Sequence, residues 1–296
     1  MQVMCHVSKR VDKEALIVYR VYMVGTVCYI DLLGFSYLTA NPEIKKRQGI
    51  ASRYVKNLHK YIKQSTENTN IKYCILSDSV FLFVENELDI MLFALTRIFR
   101  NCICAGVLLR AGIAFGEYNF IKTDIETKNI FGAAVTKAVS MEKLGKGCRI
   151  FVHDELPNKS TLLSFNPNIF VPYKNYYDYS ELDVFEWPFF YQDFYINIKD
   201  NNDKEKIGLR SLLFNNCKIL AYLKHSPLFN WNIMTDEGKI HIKSTIEYIT
   251  NITNNIICKK NVFNPVPVNY SLDISIRKEV AVNNLIEFYK KEFNVQ

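Results

Sequence analysis

The sequence predicts an α+β protein: a ferredoxin-like sheet over the first half, followed by a mostly helical C-terminal extension. Three observations predict this. Short β-rich runs alternate with helical periodicity in the order β-α-β-β-α-β-α-β up to about residue 156. One pair of those runs is separated only by Ser77-Asp78, which reads as a hairpin with a tight polar tip. Beyond the polar break Asn201-Asn202-Asp203-Lys204, the pattern turns to long helical stretches. The division is an N-terminal segment at 1–23, a core domain at 24–198 and a helical extension at 199–296.

The elements follow in chain order. Residues 26–33 form a short apolar, β-rich run ended by Gly34, a buried strand. Residues 44–64 place Ile44, Ile50, Tyr54, Leu58 and Tyr61 at helical spacing, with Lys and Arg between them. The hairpin strands are 71–76 and 79–84. Residues 88–105 read as a helix with a broad apolar face, and 107–116 as the next strand. A polar loop covers 119–129. Gly132 opens an Ala-rich helix that runs to Leu144 and is closed by Gly145 and Gly147. Arg149–Val152 is a further strand, and the helices of this sheet are expected on one face. Edge strands are expected near 183–187 and 190–198, and helices over 208–224, 238–257 and 272–293.

Composition narrows the class. With 49% hydrophobic and 23% charged residues in 296, the chain is globular, not disordered or collagenous. Its net charge of +7 is spread along the chain, which reads as a solvated surface and not as a nucleic-acid footprint. Charges at Lys9, Arg10, Asp12, Lys13 and Glu14 precede any apolar run, so no signal peptide is expected. Arg20, Asp31, Arg97 and Arg100 interrupt the longest apolar stretches, so no membrane span is expected either. The eight cysteines lack C-x-x-C spacing and read as reduced, mostly buried thiols of a cytoplasmic protein.

Two carboxylates stand out. Asp31 ends an apolar strand, where a lone ionised group is expensive to bury. Asp78 sits at the hairpin tip. Singly, they also fit a helix N-cap and an ordinary turn residue. In a ferredoxin-like sheet, however, the first strand and the hairpin are neighbours. The two groups then converge on one edge, as a pair that holds two divalent cations bridged to substrate phosphates does.

The residues around them carry a resemblance. Tyr29-Ile-Asp31-Leu-Leu-Gly34-Phe35-Ser36 resembles the first metal-binding strand of class III nucleotidyl cyclases, and Leu76-Ser-Asp78-Ser-Val their second metal Asp. Leu109-Arg110-Ala-Gly112-Ile-Ala-Phe-Gly116-Glu117 looks like their Arg-x-Gly-Ile-x-x-Gly strand, and Ile130-Phe-Gly132-Ala-Ala-Val135 through Glu142 like the helix that follows. The four motifs run in order over about residues 24–156. The resemblance implies attack of a ribose 3′-hydroxyl on the α-phosphate of a nucleoside triphosphate, with release of pyrophosphate. It implies two cations, Mn²⁺ or Mg²⁺, on Asp31, Asp78 and the Leu32 carbonyl. It also implies a homodimer with active sites between subunits.

The sequence departs from the purine cyclases of that class. Their transition-state Asn and Arg fall at Thr136 and Ser140, neither of them cationic; Lys143 lies one turn further on, and Arg110 on the adjoining strand. Their base-reading positions hold Cys74 and Asn129, so neither purine code is present, and Asn129 can both donate to and accept from a pyrimidine edge. These departures resemble the bacterial pyrimidine cyclases of anti-phage signalling, as does Asp183-Val-Phe-Glu-Trp-Pro188. The expected product is cyclic UMP or cyclic CMP, read by a separate effector, with no nucleic-acid or membrane partner. Asp31, Asp78 and Lys143 are the expected catalytic residues; Phe35, Cys74, Asn129, Arg110 and Thr136 are the expected substrate contacts. An adenylate or guanylate cyclase with an unusual pocket, and a catalytically dead nucleotide-binding dimerisation module, remain as alternatives.

Overall fold

The structure, a computed structural model, describes residues 23–39, 45–122, 128–156, 160, 170–174, 181–187, 216, 219–221, 223 and 235–259. Its first elements are β1 (Met23–Leu32), α1 (Phe35–Thr39), α2 (Lys45–Thr66), β2 (Lys72–Ile75), β3 (Ser79–Val84), α3 (Leu88–Cys104) and β4 (Leu109–Lys122). β5 (Lys128–Phe131), α4 (Ala133–Leu144), β6 (Ile150–Val152), β7 (Val171–Lys174), β8 (Glu181–Glu186) and a long helix, α5 (Asp236–Lys259), follow.

The sheet order is β2-β3-β1-β4-β6-β8-β7, with β5 paired to β4. Within it, β4-β1-β3-β2 are antiparallel neighbours linked by α2 and α3, which is the ferredoxin-like topology. β6 extends this sheet in parallel beside β4.

Strand alternation sorts the two faces. Cys28, Ile30 and Leu32 of β1 share one face with Val80, Leu82, Leu109, Ala111 and Ile113. Against this face pack Leu58 and Ile62 of α2 and Leu95, Ile98 and Phe99 of α3, all of them fully buried. Val27, Phe81, Phe83 and Ala114 share the other face with Ala134 and Ala138 of α4. The expectation of helices on one face therefore holds for α2 and α3 and fails for α4. The small side chains of α4 let it lie directly on the opposite face, over Gly112. A Cβ on Gly112 would come within 2.2 Å of the Ala138 carbonyl oxygen and 2.4 Å of the Glu142 nitrogen. Gly132 starts this helix at φ +136, where a Cβ would lie 2.5 Å from the Glu117 carbonyl oxygen.

Two further expectations are corrected. The stretch 119–129 is not wholly loop: β4 runs on to Lys122 and pairs back with β5. A hairpin arm satisfies its backbone by pairing with itself, so it tolerates the polar residues that read as loop. The strand near 183–187 is not an edge. It lies between β6 and β7, whose Pro172 and short length hid it. Among the described cysteines, Cys28, Cys102 and Cys148 are buried, in keeping with mostly buried thiols, while Cys74 is half-buried and Cys104 exposed. No described helix is long and apolar enough to cross a membrane. Residues 1–22, the strand expected over 190–198, the helix over 272–293 and most of that over 208–224 lie outside the described residues.

The described C-terminal residues share the core of the sheet. Ile219, Leu220, Leu223, Ile242, Tyr248 and Ile249 belong to the cluster that α2 and α3 form with β1. Beneath α5, Arg149 and Glu186 form an ion pair with both side chains 1% exposed, and the Arg149 guanidinium stacks 4.7 Å from the Tyr248 ring centroid.

Candidate active site

The site lies at one end of the sheet, on the face that carries α4. β1 ends at Leu32, and the β1–β3 and β1–β4 registers set Asp31 opposite Ser79 on one side and Arg110 on the other. The hairpin tip closes over the same end, where the Leu32 N–H donates to the Asp78 carbonyl oxygen at 3.2 Å. The structure thus brings Asp31 and Asp78 together, both half-buried. The Ser77 hydroxyl donates to Asp78 Oδ1 at 2.8 Å. Burial pushes the Asp31 carboxyl up to about 6. The negative charges of Glu142 and Asp78 add to that push, and Arg110 and the Leu32 N–H oppose it.

Arg110 is engaged. Its Nε donates to Glu142 Oε1, and its Nη1 donates to the Gly145 carbonyl at 3.0 Å. Glu142 is 2% exposed. The guanidinium is therefore a latch that ties β4 to the end of α4, and its charge is largely matched by Glu142. On the outer face of α4, Thr136 and Ser140 are exposed. Their hydroxyls donate to carbonyls one turn back, Gly132 at 3.3 Å and Thr136 at 3.0 Å. Lys143 is exposed in the last turn of the same helix.

The other expected contacts are spread out. Phe35 opens α1 directly after the Asp31 turn and packs against the main core. Cys74 lies on β2 opposite Phe81, on the Asp31 face. Tyr73 pairs with Leu82 and so points to the opposite face, away from Asp31. Asn129 pairs with Ile121 in the β4–β5 hairpin, and Phe131 of the same hairpin is exposed.

Sequence reasoning missed two groups here. Tyr29 stands two residues before Asp31 on the same face, with its ring 4.8 Å from that of Phe81. Its hydroxyl is pushed up by burial, against a hydrogen bond with Ser79. Glu142 is the second; its i, i+4, i+8 relation to Ala134 and Ala138 was the signal that it faces the sheet. Among the described residues, the one trio of His, Cys, Asp or Glu with ligand spacing is His153, Asp154 and Glu155. Its two carboxylates are exposed, and it is not part of this site.

No protein-family model matches the chain, and no curated protein matches it. Among solved structures, the chain is similar to the monomeric guanylyl cyclase domain of the RhoGC fusion protein from the aquatic fungus Blastocladiella emersonii. That likeness has 15% identity and a TM-score of 0.41 over 56% of this chain and 94% of that one. It is also similar to the guanylate cyclase domain of RhGC from Catenaria anguillulae in complex with GTP, at 16% identity and TM-score 0.39 over 51% and 86%. A bacterial light-regulated adenylyl cyclase is similar at 14% identity and TM-score 0.41, over 58% and 52%. These likenesses are distant. The fold stated above rests on strand order and register.

Proposed function

We propose that the protein is a nucleotide cyclase, acting on a nucleoside triphosphate to form a 3′,5′-cyclic monophosphate and pyrophosphate. One observation carries the reading. Asp31 and Asp78 are held together, half-buried, at the end of β1, and among the described residues neither has an ion pair. Two hard oxygen donors kept close against their mutual repulsion fit divalent cations. Asp31, Asp78 and the Leu32 carbonyl would hold them. Bound there, such ions neutralise phosphate charge and lower the pKa of a hydroxyl.

The chain's own residues do the rest. The Arg110–Glu142 latch fixes the strand opposite Asp31, and Lys143 on α4 is the cation proposed to face the triphosphate. In the reaction the O3′–Pα bond forms and the bond from Pα to the bridging oxygen breaks. The hydroxyl proton leaves to solvent or a bound base, and pyrophosphate departs. We place a pyrimidine in the base site, with UTP ahead of CTP, because Cys74 and Asn129 carry neither purine code. On this reading, the enzyme is a soluble homodimer whose product signals phage infection to a separate effector.

A second reading, a non-catalytic nucleotide-binding module, is favoured by Arg110 being committed to Glu142 and by the hydroxyls of Thr136 and Ser140 being bonded back into α4. One experiment separates the readings. The purified chain is incubated with each of the four triphosphates and Mn²⁺, and products are read by mass spectrometry. A cyclic pyrimidine monophosphate that is lost in Asp31→Asn is expected. Nucleotide binding without product supports the second reading, and a clear preference for ATP or GTP removes the pyrimidine assignment.

A further inference from the structure

Helix α5 touches the site through one turn of chain. The segment Gly145–Cys148 joins α4 to the strand beside β4, and four groups on one stripe of α5 hold it. The Gly147 N–H donates to His241 Nδ1 at 3.0 Å, and the Cys148 N–H donates to Thr245 Oγ1 at 2.8 Å. The Ser244 hydroxyl donates to the Lys146 carbonyl at 3.1 Å. Glu237, one turn before His241, pairs with Lys146 Nζ at 3.2 Å. Positions 237, 241, 244 and 245 follow helical spacing, so a single face of α5 grips three consecutive residues, Lys146, Gly147 and Cys148.

The same turn carries the Gly145 carbonyl that accepts from Arg110. Arg110 stands opposite Asp31 in the β1–β4 register. A continuous bonded path therefore runs from α5 through the turn to the guanidinium beside Asp31. The buried Gly147 and Cys148 N–H groups, left without their acceptors, would each cost more than an ordinary hydrogen bond is worth, so the turn must shift if α5 leaves.

We propose that α5 is a positioning element for the candidate site: His241 and Thr245 hold the Gly145–Cys148 turn, and the turn holds Arg110 in its latch to Glu142. The identity of the site rests on the cyclase reading. The placement of Arg110 does not, and it is measured without nucleotide or metal. Neither His241 nor Thr245 touches the reacting groups.

The test uses the full chain labelled with nitrogen-15 and the Arg110 Nε–H resonance, which an ion-paired guanidinium protects from solvent exchange. Thr245→Val and His241→Phe are expected to speed that exchange at least ~10-fold, with unchanged circular dichroism. His241→Asn, which keeps an acceptor for Gly147, is expected to restore slow exchange. If His241→Phe does not fold, Ser244→Ala removes a single bond and is expected to move the same resonance by less. In a second arm, Thr245→Val weakens Mn²⁺ binding by about 10-fold, the lower end for groups that orient metal ligands. An Arg110 resonance unmoved in folded Thr245→Val overturns the proposal, as does a released Arg110 with Mn²⁺ affinity unchanged. A wild-type chain that binds no Mn²⁺ overturns the cyclase reading instead, and the Arg110 arm then decides this proposal alone.

Discussion

Replacing Gly112 with Ala tests how tightly α4 is seated on the sheet. The added methyl would meet the Ala138 carbonyl oxygen at 2.2 Å, the Glu142 nitrogen at 2.4 Å and Met141 Cβ at 2.7 Å. Ordinary contact begins near 3.4 Å, and two of the three atoms are backbone, so the whole helix must retreat by about 1 Å. Against this, Ala restricts the unfolded chain and favours folding by less than about 1 kcal/mol. Overpacking costs typically 1–3 kcal/mol, and a site with no flexible side chain to give way falls at the upper end. The net loss is about 2 kcal/mol, or a fall in Tm of roughly 4–6 °C for a chain of this size. Gly49→Ala is the control: its methyl meets nothing within 4 Å in an exposed helical position, and it should stabilise by about 0.5–1 kcal/mol. Thermal and urea unfolding of the three proteins read both effects. A Gly112→Ala chain as stable as wild type would mean that α4 does not bear directly on β4, and the packing argument for the latch would fall with it.

Three further outcomes are expected. Asp31→Asn and Asp78→Asn each abolish cyclic product by mass spectrometry. Asp31→Asn is also more stable at pH 7, by about 1 kcal/mol after discounting for partial exposure. The Asp31 carboxyl is raised from 3.8 to about 6, so the stability of its protonated form is present below 3.8 and lost as pH rises through 6. His241 works in the opposite sense: burial, with Arg110 and Lys146 and against Glu237, lowers it from 6.5 to about 4. Its neutral form therefore contributes stability above pH 6.5, and on the order of 3 kcal/mol is lost as pH falls to about 4, a slope that His241→Asn removes in urea titrations. Thr96→Val leaves the buried Trp187 indole N–H without its 3.0 Å acceptor and lowers stability by about 1–3 kcal/mol in the same assay.

The parts of this fold that were legible in sequence are those where burial imposes a period. β3 and α3 show their ends within a residue, because Val80–Val84 is buried on both faces and α3 presents Met91, Leu95, Ile98 and Cys102 to the core. The β4–β5 arm was not legible, because its polar sequence reads as loop while its backbone is satisfied by pairing. β7 was not, because Pro172 reads as a break. In the site, Asp31 and Asp78 were legible because an acid ending an apolar strand and an acid at a hairpin tip are each unusual, and topology joins them. The engagement of Arg110 was not. A motif position names a residue, but only register and helix phase reveal that Glu142 has already claimed its charge.

That claim bears on function. The described sheet buries carboxylates in two ways. Glu186 lies 1% exposed against Arg149, and Glu142 lies 2% exposed against Arg110; each has a guanidinium of its own, which is what desolvated acids require. Asp31 shares the face of Glu142 yet has no such partner among the described residues, and Asp78 sits beside it. The fold that supplies an arginine to each carboxylate it fully buries leaves these two half-open at a strand end, where their repulsion works against stability. A cation from solution removes that cost, and an arginine placed there would occupy the position a metal needs. The missing counter-charge at Asp31 and Asp78, set against its presence at Glu142 and Glu186, is the physical reason to read this end of the sheet as a metal-dependent site and not as ordinary core.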